Sequence, residues 1–176
     1  GYLMHKYSAD RSLGSSWHSF VKNGKAILPI QEDETALVLI ALFEYYKKTK
    51  DIEFIEGHYN EVIKKMATFL VDFTDPHTGL PLPSYDLWEE KHGVSTFTAA
   101  TVYGGLIAGA KFAKLFEKED DERMFSTCAE KMKSAILEHL YDKDLGMFIK
   151  LLNTKNGIVI HDKTIDMSSI YGIFAY

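Results

Sequence analysis

The chain has 176 residues, 46% of them hydrophobic and 13% aromatic, which is enough for one packed core. Twenty Lys and Arg stand against 25 Asp and Glu for a net charge of −5, and no basic block could follow a phosphate backbone, which argues against a nucleic-acid partner. The sole cysteine, Cys128, excludes an internal disulfide and leaves the redox compartment open.

The N-terminus, Gly1, has neither the charged start nor the apolar core of a signal peptide, so the localisation is not legible and the chain reads as a fragment. The segments "GSSWHSF" and "LPIQEDE" then precede a long apolar run. Within them Trp17, His18, Gln31 and Asp33 read equally as a loop anchor and helix cap, since a first turn favours an acid at Asp33. Trp17 and Gln31 are also candidates for ligand binding.

From Thr35, "TALVLIALFEYY" is apolar on every side, the pattern of an inner helix surrounded by protein. "HYNEVIKKMATFLVDF" instead places Tyr59, Val62, Ile63, Met66, Phe69, Leu70 and Phe73 on one stripe, an outer helix. The alternation repeats. "FTAATVYGGLIAGAKFAKLF", residues 97–116, is an inner helix whose Gly104, Gly105, Ala108 and Gly109 permit close backbone approach, and its small-residue content distinguishes it from a membrane span. "ERMFSTCAEKMKSAILEHLY" is an outer one, with Phe125, Cys128, Met132, Ala135 and Ile136 on a single face. "MFIKLLNTKNGIVIH" alternates around "KNG" and predicts a small β-hairpin excursion. Another inner helix begins near Met167, with Asp166, Ser168 and Ser169 placed to cap it.

Asp-x-x-x-Gly turns at Asp10, Asp75 and Asp142 punctuate this pattern. A repeat of about 66 residues holding one inner and one outer helix marks stacked or ring-closed helical hairpins, in which no unit buries its apolar face alone. The expected fold is therefore all-α. If the inner helices run parallel, "LPIQEDE", "SYDLWEE" and "TIDMSS" line one rim, where helix N-termini favour polar and anionic groups.

The stretch "SYDLWEEKHG", residues 84–93, crowds Asp86, Glu89 and Glu90 around Trp88. An indole face packs on a sugar ring and neighbouring carboxylates hydrogen-bond its hydroxyls. Cleaving a glycosidic bond also needs a carboxylic acid protonated near neutral pH, and an apolar wall and a like charge both raise a carboxyl pKa. Glu89 is best placed for that role. The second carboxylate has to come from a remote segment, because adjacent side chains diverge and the two acids of an inverting glycosidase stand about 6.5–9.5 Å apart. Spacing alone also allows a solvated acidic turn, the commoner use of such residues.

"GYLMHKY", "GSSWHSF", "LPIQEDETALVL", "YDLWEEKHGVSTFTAATVYGGL" and "TIDMSS" resemble consecutive blocks of glycoside hydrolase family 15, the glucoamylases, in their bacterial and archaeal form. The resemblance covers essentially the whole chain. It implies that Glu89 is the general acid, that Glu90 and Asp86 hold substrate and tune it, and that Trp88, with Tyr85 in the same binding block, packs beside the sugar. It also implies an (α/α)6 toroid acting on an α-glucan or malto-oligosaccharide. The family's Arg-Asp pair that grips the terminal glucose falls upstream of Gly1 and its general base falls beyond Tyr176. Residues 1–176 are therefore expected to be part of a single catalytic domain of six units, on the order of 400 residues, that needs the remainder of that domain as its partner. Trehalase or glucodextranase activity, or a non-catalytic carbohydrate-binding or helical-repeat role, are the alternative expectations.

No metal or cofactor is implied. "DKDLG" departs from a calcium loop in its glycine position and its twelfth residue, Asn153. The histidines lack HExxH spacing. Cys128 and His139 lie about 16 Å apart along one helix, too far to pair as thiolate and imidazole.

Overall fold

The computed structural model describes residues 1–14, 21, 22, 24–26, 28, 30–155 and 158–176. Two short strands, β1 (Val21–Lys22) and β2 (Lys25–Ala26), pair antiparallel ahead of helix α1 (Glu32–Thr49). This helix begins three residues before the apolar run, with Glu32, Asp33 and Glu34 filling its first turn. Its end is closed by Lys50 at φ 58°, whose N–H donates to the Tyr46 carbonyl.

Helix α2 (Ile52–His58) is capped by the Asp51 carboxylate and continues through a π turn, Tyr59–Ile63, into α3 (Lys64–Asp72). The predicted stripe holds, with Tyr59, Ile63, Met66 and Leu70 buried and Val62 and Phe69 packed against the core. The helical stretch starts earlier than its stripe, because the Asp51 cap precedes a first turn with only Ile55 buried.

Strands β3 (Ser84–Tyr85) and β4 (His92–Ser95) form a hairpin that leads directly into α4 (Thr96–Leu115), capped by the Ser95 hydroxyl, which accepts from Thr98 N–H. Helix α4 is the centre of the fold. It packs against α1, α3 and the two helices that follow, α5 (Glu119–Ala135) and α6 (Met167–Ala175). The predicted close approach is real: a Cβ on Gly105 would lie 2.9 Å from the Ala36 Cα, and one on Gly109 would lie 2.9 Å from the Ala67 Cβ. Helix α5 ends in a π turn, Ile136–Leu140, and buries Phe125, Ala129, Met132, Ala135 and Ile136 on its predicted face.

Beyond α5, β5 (Tyr141–Asp142) pairs with β6 (Met147–Phe148), and β7 (Leu151–Lys155) pairs with β8 (Ile158–Asp162). The second pair is the predicted hairpin, with its "NG" turn outside the described residues. It is more than an excursion. Strand β7 also pairs with β4, Val94 opposite Leu152 and Ser95 opposite Leu151, giving a four-stranded antiparallel sheet in the order β3-β4-β7-β8. Gly93 allows this, since a Cβ there would stand 2.6 Å from the Leu152 carbonyl oxygen.

The repeated aspartates share one device. Asp10, Asp75 and Asp142 each accept a backbone N–H two residues on, from Ser12, His77 and Asp144. Gly79 and Gly146 then take positive φ, 75° and 65°. The first copy differs, with Arg11 at φ 69° and the N–H of Gly14 donating to the Lys6 carbonyl. The architecture is thus mostly helical with a small sheet, α1, α4 and α6 supplying the apolar helices and α3 and α5 packing outside α4. The expectation of a helix surrounded by protein holds best for α4; α1, for which the run from Thr35 suggested it, leaves Ala41 and Tyr45 exposed, and Phe174 of α6 is 94% exposed.

Candidate active site

The loop joining β3 to β4 carries Asp86, Leu87, Trp88, Glu89, Glu90 and Lys91. It is folded by one carboxylate. Asp86 is 3% exposed, and its Oδ1 accepts the N–H groups of Glu90 at 2.8 Å and Lys91 at 3.0 Å. Its backbone closes the turn as well, because Asp86 N–H donates to the Lys91 carbonyl and Glu89 N–H donates to the Asp86 carbonyl. Gln31 is buried beneath, with Nε2 3.5 Å from that same Asp86 carbonyl oxygen. These bonds hold Glu89 at φ 53°, a left-handed conformation that costs a non-glycine residue about 1 kcal/mol or more. Asp86 and Gln31 therefore act from below on the loop, whereas the sequence suggested side chains that reach a ligand.

The other predicted residues lie on or near the loop. Trp88 is 56% exposed, and its Nε1–H is shared between the two carboxylate oxygens of Asp166 at 3.1 and 3.3 Å. The indole edge is thus fixed to the start of α6 while much of the ring remains open. Tyr85 is half-buried with its ring edge-on to His92, centroids 5.2 Å apart. Glu90 points outward, and its Oε2 lies 3.5 Å from Lys150 Nζ. Trp17 and His18 lie outside the described residues.

Sequence reasoning missed three groups that shape the site. Lys150, 5% exposed, sits among Asp166 Oδ2 at 3.1 Å, Asp86 Oδ2 at 3.4 Å and Glu90 Oε2 at 3.5 Å. Burial works against its charged form, but Asp166 and Asp86 outweigh this and raise its pKa. Asp166, assigned only a capping role, does cap α6 through Ser168 N–H and also joins Trp88 to Lys150. Burial pushes its carboxyl up, yet hydrogen bonds from Ser168 and Lys150 prevail and hold it at about 2. The third is His5, whose Nε2 lies 2.5 Å from Glu89 Oε1 and whose Nδ1 lies 3.3 Å from Glu34 Oε1. An apolar neighbourhood, "FIKLL", was the available signal for a buried Lys150.

Beside the loop lies a pair of buried acids from the first turn of α1. Glu32 is 1% exposed, its Oε2 has no hydrogen-bond partner among the described residues, and burial pushes its pKa to about 8. Asp33 is raised by burial to about 6, although the Thr98 hydroxyl donates to its Oδ2 at 3.0 Å. Both folded values exceed the ordinary 4.5 and 3.8, so the fold prefers the protonated acids. Their contribution to stability is complete below the ordinary values and is lost as pH rises through about 6 for Asp33 and about 8 for Glu32. Glu32→Gln removes the larger part. It is expected to be no more stable than the parent at pH 4 and to gain on the order of 2–4 kcal/mol relative to it by pH 9. Urea melts at the two pH values check this, and parallel pH dependences for parent and variant would contradict it.

Among the described residues no three His, Cys, Asp or Glu side chains come together as a metal site, and no helix is long and apolar enough to cross a membrane. What the fold and loop define is a mostly helical chain with a small sheet that carries an acid and an indole on a hairpin beside the start of an apolar helix. Residues 16–173 match the sequence model of Glycosyl hydrolases family 15, and the chain belongs to that family. It is 32% identical to an uncharacterized glycosyl hydrolase of Methanocaldococcus jannaschii over 165 residues, 91% of this chain and 24% of that protein. Its fold resembles that of a bacterial glucoamylase crystallised in complex with acarbose, with a TM-score of 0.56 and 21% identity over 85% of this chain and 23% of the other. The chain therefore spans about a quarter of the length of these two proteins.

Proposed function

We propose that this chain is part of an exo-acting, glucoamylase-type glycosidase that releases glucose from the non-reducing ends of α-glucans with inversion. Family membership carries the reading. The β3–β4 loop supports it, because a carboxyl held in a strained turn next to an open indole suits a proton donor beside a sugar ring. The fold shared with a glucoamylase that binds acarbose supports a saccharide substrate.

In this mechanism Glu89 gives its proton to the glycosidic oxygen as the C–O bond breaks. A glutamate outside this chain, across the sugar, removes a proton from the attacking water. Trp88 packs on the sugar, Glu90 faces it, Tyr85 lies in the same block, and Asp86 and Gln31 order the loop from beneath it. Residues 1–176 form consecutive units of one (α/α)6 domain. The exposed apolar residues of α6, Ile170, Tyr171 and Phe174, support that reading as the surface on which a following unit packs.

Stereochemistry tests the function. The polypeptide carrying this chain within its complete catalytic domain is incubated with maltotriose, and the sugar is followed by proton NMR before mutarotation. β-Glucose is expected to appear first. Initial α-glucose, or internal cleavage without glucose, would overturn the proposal.

A further inference from the structure

The contact between His5 and Glu89 calls for chemistry that the hydrolysis scheme does not yet contain. In an inverting cleavage the acid ends each turnover ionised, while the proton taken from water resides on the base across the sugar. Something has to return a proton to the acid. Hydrogen bonds from Leu3 N–H to the Thr35 hydroxyl at 2.9 Å and from Met4 N–H to the Tyr7 hydroxyl at 2.8 Å, with a bridge from Met4 to Ile30, fix the N-terminal segment beside α1. His5 follows directly. Its imidazole stands between two carboxylates, Glu89 at 2.5 Å from Nε2 and Glu34 at 3.3 Å from Nδ1. These are the charged groups that face it among the described residues, one from the loop and one from α1. The contact with Glu89 is short enough for a charge-assisted hydrogen bond. The Glu34 carboxyl is a third exposed, which links the far side of the ring to solvent.

We propose that His5 is the positioning and proton-return residue of Glu89, an inference that rests on Glu89 being the general acid. Before cleavage the imidazole fixes the carboxyl in its left-handed loop. On cleavage Glu89 loses its proton to the departing alcohol. Nε2 of the imidazolium then passes its proton to Glu89 Oε1, and the ring, whose Nδ1–H stays on the Glu34 carboxylate, regains one proton from solvent on that exposed side. The general base releases one proton to solvent in the same cycle, so the enzyme ends as it began.

His5→Gln keeps a hydrogen-bond donor but cannot carry the proton. In the polypeptide with its complete catalytic domain, maltotriose hydrolysis by this variant is expected to show kcat lower by about tenfold or more with KM within about twofold. The alkaline limb of its kcat profile is expected to move to lower pH, with the acid limb unmoved, because proton return to Glu89 then depends on solvent protons that grow scarcer as pH rises. Glu34→Gln breaks only the outer link and is expected to move the same limb in the same direction by less. It decides the matter if His5→Gln does not fold. A profile that is scaled without shifting, or unchanged rates, in a folded variant would overturn the proposal and leave Glu89 as the acid. Glu89→Gln is measured alongside, and full activity there would overturn both readings together.

Discussion

Glu89→Gln is expected to lower kcat/KM for maltotriose by about 10²–10⁴-fold while leaving α-glucosyl fluoride hydrolysis within about tenfold of the parent. The two substrates differ in what the leaving group needs. A sugar alkoxide departs only if a proton reaches it in the transition state, and an amide in the place of the carboxylic acid supplies a hydrogen bond but no proton. Fluoride leaves as a stable anion and makes no such demand. Because the side chain is changed by one atom, the loop held by Asp86 and the contact toward His5 keep their shape, so KM is expected to change little. Equal losses on both substrates would move Glu89 from proton donor to structural support, and undiminished maltotriose hydrolysis would put the acid elsewhere.

Helix α4 was legible almost to the residue, because the small residues and the all-round apolar pattern agree; its cap at Ser95 emerged only with the structure. The helical stretch before it was located late. Its stripe is read correctly from Tyr59, but the π turn at Tyr59–Ile63 inserts an extra residue, so the preceding turn, with Phe54 open to solvent, falls out of phase with the stripe. The hairpin at β7–β8 was visible as alternation, while its pairing with β4 was not, since strand partners distant in sequence leave no local trace.

The same limit applies to the site. Asp86, Trp88, Glu89 and Glu90 form a contiguous motif, so their grouping could be read directly. The residues that give each its task come from elsewhere: His5 ahead of α1, Lys150 at the entrance to β7, Asp166 at the start of α6. Glu32 was hidden for another reason. An acid in a first helical turn is ordinarily an exposed partner of the helix dipole, and only burial, which outweighs the hydrogen bond from Ser84 of β3, turns this one into a protonated group.

Lys150→Met is expected to destabilise the protein by about 3–5 kcal/mol at neutral pH. The methionine fills the same space, so the loss is electrostatic. Without the ammonium, Asp86 and Asp166, both largely buried, have no cation beside their Oδ2 atoms, and only Trp88 Nε1–H still donates to that of Asp166. Glu90 contributes little to this, because its side chain is 64% exposed and its charge is screened. In the parent, Asp166 at about 2 lies below the ordinary 3.8, so its contribution is present above 3.8 and fades as pH falls through about 2. Removing the cation takes away one of the bonds that hold Asp166 low, so the deficit is largest at pH 7 and shrinks as falling pH protonates the carboxylates. The variant should therefore approach the parent's stability near pH 3 and fall furthest behind it at pH 7, which urea melts at the two pH values measure. A companion change separates charge from packing. Asp86→Asn in the Lys150→Met background removes one of the stranded charges and is expected to recover part of the loss at pH 7, although alone it costs stability by leaving Lys150 short of a partner. A Lys150→Met protein with the parent's melt at both pH values would mean that the loop, Trp88 and α6 are held together without this ammonium, and that the buried cluster does not order the site.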